Sequence, residues 1–227
     1  MWRFSFKHKP QKPQKKLFVI GCNKTGTSSL EQALSSLGFR MGSQKVGESL
    51  IEDWAQRKFD NLVKFCNTAD AFQDVPFSLD YTYQILDHAF PGSKFILSVR
   101  NNSEEWYESL TRFHTKIVGK NRLPTAEDLK QHPYYEKAGW LWRAHEVMFG
   151  IDEHSVYNKE IYIQFYEMHN QRVQHYFKFR PDDLLVLNVA EPDAMRRLCQ
   201  FLGLPVCRQA MPHLNRSTPT INEAQAV

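Results

Sequence analysis

Three short apolar runs in the chain have the composition of buried β-strands. They are residues 17–21 (LFVIG), 94–100 (KFILSVR) and 183–188 (DLLVLN). Each is short, rich in β-prone side chains, and bounded by glycine, proline or polar residues, which is typical of strands in the interior of a parallel sheet. The runs therefore predict three strands that are covered on both faces.

Each predicted strand is followed by a segment with the periodicity of a helix. Apolar residues recur at positions 30, 33, 34 and 37, before Gly38, and again at positions 195, 198, 199 and 202. In this last helix Pro192 should lie in the first turn and Gly203 just past the end. After the second strand, Ser103 offers an N-cap and acidic residues follow it. Strand followed by helix, three times over, predicts an α/β fold with a P-loop-like, three-layer arrangement, in which helices flank a parallel sheet.

Residues 125–178 differ from this pattern because they are helical in composition and unusually aromatic. We interpret them as an extra helical layer packed over the sheet, not as a second domain. The predicted organisation is a basic, flexible tail over residues 1–16, one α/β domain over 17–216, and a flexible tail over 217–227.

The length and composition of the chain are those of one folded globular domain. The chain has 227 residues, of which 42% are hydrophobic and 13% aromatic, enough to bury a core and exclude global disorder. The formal net charge is only +4, and the first sixteen residues hold six Lys or Arg and no acid. A solvated terminus explains that tail, and a weak contact with an anionic membrane surface is the alternative. Basic residues are not otherwise interleaved with aromatic ones, so nucleic-acid binding has little support.

The sequence contains no apolar run long enough to span a bilayer and no secretory signal at its start. Its four cysteines, at positions 22, 66, 199 and 207, form no C-x-x-C pair. This spacing argues against a zinc ribbon and a disulfide scaffold, and we expect a reduced, cytoplasmic protein.

The segment between the first predicted strand and its helix, residues 21–29 (GCNKTGTSS), is suited to binding phosphate. The first amides of a helix have no partner within the helix and carry partial positive charge. Phosphate oxygens can therefore accept hydrogen bonds from the amides near Gly26, Thr27 and Ser28. Lys24 adds a full positive charge, and the hydroxyls at positions 25, 27, 28 and 29 add further donors.

The same segment departs from the Walker A pattern G-x-x-x-x-G-K-[ST] in one informative way. Gly21 and Gly26 have the required spacing, but Thr27 occupies the place of the essential lysine, and Lys24 lies upstream. A nucleotide-dependent kinase or a nucleoside triphosphatase remains the alternative within this fold, and the presence of Thr27 in place of the lysine argues against both. A phosphate-binding module without catalytic activity is the alternative outside the enzymes.

Residues 23–29 (NKTGTSS) resemble the 5′-phosphosulfate-binding loop of the P-loop sulfotransferases, P-K-[ST]-G-T-[ST]-[ST], with Asn23 in place of proline. A second match is Arg100 at the end of a predicted strand. In the family, an arginine there and a serine about eight residues later bind a 3′-phosphate. The interval from Arg100 to Ser109 is nine residues, so Ser103 remains an alternative to Ser109.

The resemblance covers about residues 17–216, and within the family the chain resembles a microbial-type, cytosolic branch. It includes the segments at 74–77, 90–100, 106–107, 166–170, 202–205 and 211–215. It implies 3′-phosphoadenosine-5′-phosphosulfate (PAPS) as the donor and adenosine 3′,5′-bisphosphate as the product. An in-line displacement at sulfur needs no metal, and the sequence offers no obvious metal cluster. Residues 212–216 match a loop that covers the nucleotide, which makes Arg216 a further candidate for phosphate binding.

Lys24 and Asp74 are the candidate catalytic residues. By resemblance, Lys24 contacts the bridging oxygen or the sulfuryl group, while the acceptor must lose a proton to a nearby base. Asp74 is the first candidate for that base because it ends an apolar segment between the two phosphate motifs; Asp70 and His169 are its rivals. The acceptor is a hydroxyl or amine of a small molecule, a glycan or a lipid, and the sequence leaves its identity and the oligomeric state open.

Overall fold

The computed structural model describes residues 15–119, 121–134, 137–205 and 209–212. Its strands are β1 (Leu17–Val19), β2 (Ala71–Phe72), β3 (Lys94–Ser98), β4 (Pro133–Tyr134), β5 (Lys137–Ala138) and β6 (Leu184–Leu187). Its helices are α1 (Thr27–Ser36), α2 (Gln44–Ser49), α3 (Ile51–Ala55), α4 (Asp60–Phe65), α5 (Thr82–Ala89), α6 (Ser103–Val118), α7 (Ala126–Gln131), α8 (Trp140–Phe149), α9 (Lys159–Phe177) and α10 (Ala194–Phe201).

The central sheet has four strands in the order β2-β1-β3-β6, and every neighbouring pair is parallel. Phe18 of β1 lies opposite Phe72 of β2 and Phe95 of β3. All four strands therefore end at the same edge of the sheet, which is where open parallel sheets bind their ligands.

Side chains of the sheet alternate between two apolar layers, because successive residues of a strand point to opposite faces. Phe18 and Phe95 pack with residues of α4, α5 and α9, such as Phe177. Their neighbours Val19 and Ile96 pack instead with residues of α1 and α10. This burial on both faces confirms the predicted α/β class, with a parallel sheet between helices.

The predicted extra helical layer is present, as helices α7, α8 and α9 pack with α6 around a separate apolar cluster. Its aromatic side chains pack against one another: Phe149 stacks on Tyr162, with 4.0 Å between the ring centres. Two buried hydrogen bonds join imidazoles to phenols in this layer, His114 to Tyr157 and His145 to Tyr162. Burial lowers the pKa of His145 to about 3, so this imidazole is neutral at physiological pH.

The sequence interpretation was incomplete or wrong at three places. Strand β2 was interpreted only as an apolar segment, because two strand residues carry no periodicity of their own. Pro133–Tyr134 and Lys137–Ala138 form the antiparallel pair β4–β5 inside a segment predicted to be helical, and Pro133 cannot continue a helix. The last helix begins at Ala194, with Asp193 as its N-cap, so Pro192 precedes the first turn.

Cys22, Cys66 and Cys199 are buried free thiols, while Cys207 lies outside the described residues. None of the helices in the described part of the chain combines the length and apolar character needed to cross a bilayer.

Candidate active site

A cavity of about 630 Å³ opens at the edge where the strands of the sheet end. It is lined by Asn23, Lys24, Gly26, Thr27, Ser28, Ser29, Gln44, Glu48, Asp74, Arg100, Ser109, Arg112, Phe113, His114, Lys116, Ile117, Tyr134, Trp140 and Leu141. Four of these residues are Lys or Arg and two are carboxylic acids, so the cavity suits an anionic ligand.

The loop between β1 and α1 is held in shape by hydrogen bonds from α6 and from Arg100, two residues beyond β3. The indole Nε1 of Trp106 donates to the carbonyl of Asn23 at 2.9 Å, and the Nε of Arg100 donates to the carbonyl of Lys24 at 2.7 Å. The loop turns through two left-handed residues, Lys24 at φ 70° and Gly26 at φ 96°. Because the turn is fixed in this way, the amino end of α1 points into the cavity.

Gly21 is required by the close packing of this loop on β3. A Cβ at position 21 would lie 2.2 Å from the backbone oxygen of Ser98 and 2.6 Å from its nitrogen. Because backbone atoms cannot yield as a side-chain tip can, we expect Gly21→Ala to lower the free energy of unfolding by about 3 kcal/mol. Urea denaturation of the purified variant measures this loss.

Gly38→Ala is the matched control for that substitution. Gly38 has φ 91°, and a Cβ there would meet nothing within 4 Å, so only the backbone cost of about 1 kcal/mol applies. A loss in Gly21→Ala no larger than in Gly38→Ala would contradict the packing argument.

The predicted phosphate-binding residues divide into two groups. Gly26, Thr27, Ser28 and Ser29 line the cavity, and as the N-cap of α1 Gly26 brings no side chain of its own to the first amides. Thr25 instead turns inward: its fully buried hydroxyl lies 2.6 Å from the hydroxyl of Ser98 and donates to the carbonyl of Cys22. The structure thus gives the Thr25 side chain a role in holding the loop against β3, not in lining the cavity.

Lys24 extends into the cavity, where its ammonium lies 3.6 Å from the centre of the Phe113 ring. Desolvation by burial lowers the pKa of Lys24 to about 8, with Arg100 and Lys116 acting in the same direction and Asp74 opposing them. Lys24 is therefore mostly protonated at neutral pH and loses its proton above about pH 8.

Arg100 and Ser109 are brought together as the sequence pattern requires. The guanidinium Nη2 of Arg100 lies 3.4 Å from the hydroxyl oxygen of Ser109, and both residues line the cavity. Ser103 is directed elsewhere and donates to the carboxylate of Glu167 at 2.7 Å. Ser109 is thus the serine that accompanies Arg100. Arg216 lies outside the described residues.

Asp74 lies in the cavity wall two residues beyond β2 and is only 7% exposed. Its Oδ1 accepts from the amide of Val75 at 3.0 Å, and its Oδ2 accepts from the Gln44 side chain at 3.4 Å. Desolvation raises the pKa of Asp74 to about 6, although the Val75 amide and Lys24 both lower it. A carboxylate with this pKa can take up a proton near neutral pH.

The two rival bases lie away from the cavity. Asp70 precedes β2, at the opposite edge of the sheet, and accepts from the backbone amide of Arg40 at 3.1 Å. His169 is fully buried; its Nε2 donates to the carbonyl of Ile20 at 2.8 Å and its Nδ1 lies 3.1 Å from Asp80. His169 anchors the end of β1 to α9, and Asp74 is the one of the three candidates that lines the cavity.

Sequence reasoning missed several residues of the cavity. Gln44 and Glu48 lie one turn apart on α2, and the Gln44 side chain donates to Glu48 at 2.8 Å; Ser43, the N-cap of α2, is the signal that could have found this helix. Phe113 lies four residues after Ser109, on the same face of α6. His114 also lines the cavity, and burial holds its pKa well below the ordinary value. Within the described residues, no three His, Cys, Asp or Glu side chains are grouped as metal ligands would be.

Comparison with known proteins agrees with this geometry. The family model described as a sulfotransferase domain matches residues 16–219, nearly the whole chain. No curated protein sequence gives a significant match. The chain therefore belongs to the sulfotransferase-domain family, whose shared chemistry is the transfer of a sulfuryl group.

Proposed function

We propose that this protein transfers a sulfuryl group from PAPS to a hydroxyl or amine of a small-molecule, glycan or lipid acceptor. The observation that carries the proposal is the presence of two anion-binding groups in one cavity. One is the amino end of α1 with Lys24, and the other is the Arg100–Ser109 pair. A nucleotide with charged groups at both its 5′ and 3′ positions fits such a pair, whereas ATP has no 3′-phosphate.

The residues of the loop are suited to an in-line displacement at sulfur. PAPS supplies the activated sulfuryl group, and negative charge develops on the phosphate oxygen that leaves it. The Lys24 ammonium and the first amides of α1 are fixed donors, so they stabilise that charge without reorganising. The cavity walls would hold the reacting groups in line, which accounts for a further part of the rate.

Asp74 supplies the base in this scheme. Its carboxylate lies in the same cavity as Lys24 and, with a pKa of about 6, is mostly ionised at neutral pH. It would take the proton that the acceptor hydroxyl loses as the oxygen–sulfur bond forms. The electrostatic attraction between Asp74 and Lys24 favours the charged form of each and opposes part of the desolvation that shifts both pKa values toward neutrality.

Nucleotide binding gives the first test. Because a ligand that binds only the native state stabilises it by mass action, adenosine 3′,5′-bisphosphate should raise the melting temperature more than ATP with Mg²⁺ does. Arg100→Gln should weaken the bisphosphate about tenfold to a hundredfold, through the loss of charge-assisted hydrogen bonds. Arg40→Gln, at the opposite edge of the sheet, is the control and should bind as the wild type does.

A larger stabilisation by ATP with Mg²⁺ than by the bisphosphate would favour the kinase alternative and contradict the proposal. Labelled PAPS, offered with a panel of glycans, phenols, steroids and lipids, then tests the transfer itself. Tight nucleotide binding without transfer to any member of the panel would favour a non-catalytic binding module.

A further inference from the structure

Phe113 contacts the side chain of Lys24, and the proposed reaction gives this contact no role. It lies on α6, four residues and about one turn after Ser109, and its ring lines the cavity. The Nζ atom of Lys24 stands 3.6 Å from the centre of that ring. This distance is well inside the range of about 6 Å over which an aromatic face attracts a cation.

The contact with Phe113 restrains the side chain of Lys24, because the backbone of this residue is already fixed. The Lys24 carbonyl is held by the Nε of Arg100, and its φ of 70° fixes the direction in which the side chain leaves. The remaining freedom is in the four-carbon stem. An aromatic face at its end selects one position for the ammonium among those the stem could reach.

The ring also offsets part of the cost of burying this charge. The charged groups that act on Lys24 come from three elements: Asp74 after β2 favours the ammonium, while Arg100 after β3 and Lys116 on α6 disfavour it. His114, on the same helix, is neutral. A ring face carries partial negative charge without being an acid, so it can support the ammonium without pairing with it as a carboxylate would.

We propose that Phe113 is a positioning residue for Lys24, which holds the ammonium in place and in its charged form within the cavity. The inference rests on the proposed function of Lys24 in sulfuryl transfer. Since Ser109 and Phe113 occupy successive turns of α6, the helix that contributes to the 3′-phosphate site also sets the position of the reacting cation.

The test compares Phe113→Leu, which removes the aromatic face but keeps an apolar side chain, with Phe113→Tyr, which retains the face. The first readout is the pKa of Lys24, measured by NMR on protein with ¹³C-methylated lysines and assigned by the signal missing in Lys24→Ala. We expect the Lys24 titration to move down by about one pH unit in Phe113→Leu and to stay unchanged in Phe113→Tyr.

The second readout is the release of adenosine 3′,5′-bisphosphate from PAPS in the presence of the best acceptor of the panel. In Phe113→Leu we expect kcat to fall about tenfold, while KM for PAPS stays the same, because the nucleotide contacts are intact. Phe113→Tyr should restore kcat. Phe201→Leu removes the ring that lies 4.2 Å from the ammonium of Lys94, away from the cavity, and should alter neither readout.

An unchanged Lys24 pKa in Phe113→Leu would overturn the proposal, as would equal losses of kcat in the leucine and tyrosine variants. A lowered pKa with an unchanged kcat would also overturn it, because the contact would then have no role in positioning. The NMR titration needs neither donor nor acceptor. A failure of the sulfotransferase assignment, detected by the nucleotide ranking, is therefore distinguishable from a failure of this inference.

Discussion

Replacing Lys24 with alanine is expected to slow sulfuryl transfer by about 100- to 1000-fold, the loss typical when a preorganised donor to a developing anion is removed. The ammonium is the one full positive charge that the α1 loop itself brings into the cavity, so the remaining amides cannot replace it. Steady-state release of the bisphosphate from PAPS measures the effect, which should appear mainly in kcat because the charge is needed most in the transition state.

Two further variants separate chemistry from folding in that experiment. Lys24→Asn removes the cation but suits the left-handed backbone at φ 70° better than alanine does, so its melting temperature should be closer to that of the wild type while its rate stays low. Lys116→Gln removes a cation that lines the same cavity from α6 and should cost no more than about tenfold, since it loses only a longer-range attraction. A rate in Lys24→Ala close to that of the wild type would refute the role given to Lys24.

Asp74→Asn is expected to lower transfer about 100-fold or more at pH 7.5, because the amide cannot accept the acceptor's proton. Affinity for adenosine 3′,5′-bisphosphate, measured by titration calorimetry, should change little. In the wild type, activity should rise through about pH 6 as Asp74 ionises and fall through about pH 8 as Lys24 loses its proton. The variant should lose the acidic limb of this profile.

The same substitution has a signature in stability. The pKa of Asp74 is raised from 3.8 to about 6 in the folded protein, so the folded state holds this proton more tightly than the unfolded chain does. The group therefore destabilises the fold progressively as pH rises from about 4 to 6, by about 3 kcal/mol in total. The Asp74→Asn variant has no carboxyl group to titrate at this position. The free energy of unfolding of the variant minus that of the wild type should therefore increase by about 3 kcal/mol between about pH 4 and pH 6.

Asp70→Asn is the control for both experiments, because Asp70 lies at the amino end of β2 and accepts from Arg40. It should leave the pH–rate profile unchanged. A loss of nucleotide affinity in Asp74→Asn as large as the loss of rate would make Asp74 a structural residue and leave the base unassigned.

That the β1–α1 loop and Arg100 would meet in one cavity could be predicted from sequence because the signals are local. A strand, a glycine turn and a hydroxyl-rich helix start lie within residues 17–29, and Arg100 ends an apolar run with the composition of a strand. The orientation of Thr25 could not be predicted, because its direction depends on Ser98, which is 73 residues away in the chain.

The part of the cavity formed by α2 was harder to predict for a different reason. Helix α2 is only six residues long, too short for apolar periodicity to be recognised. Whether an aromatic residue such as Phe113 belongs to a core or to a cavity depends on what faces it, and here it is Lys24, far away along the chain. The buried position of His169 depends in the same way on the distant carbonyl of Ile20.

The two walls of the cavity come from different stretches of the chain. The groups that we assign to the donor lie on the β1–α1 connection, in the first turn of α1, at Arg100 after β3 and at Ser109 on α6. A second part of the lining comes from α2, β4 and the start of α8, through Gln44, Tyr134 and Trp140. Substitutions in that second set would reshape the space for an acceptor without disturbing the loop or the sheet. Under the proposed function, a chimera that exchanges residues 44–49 and 133–149 for those of another family member should change acceptor preference while Lys24, Arg100 and Ser109 keep their places.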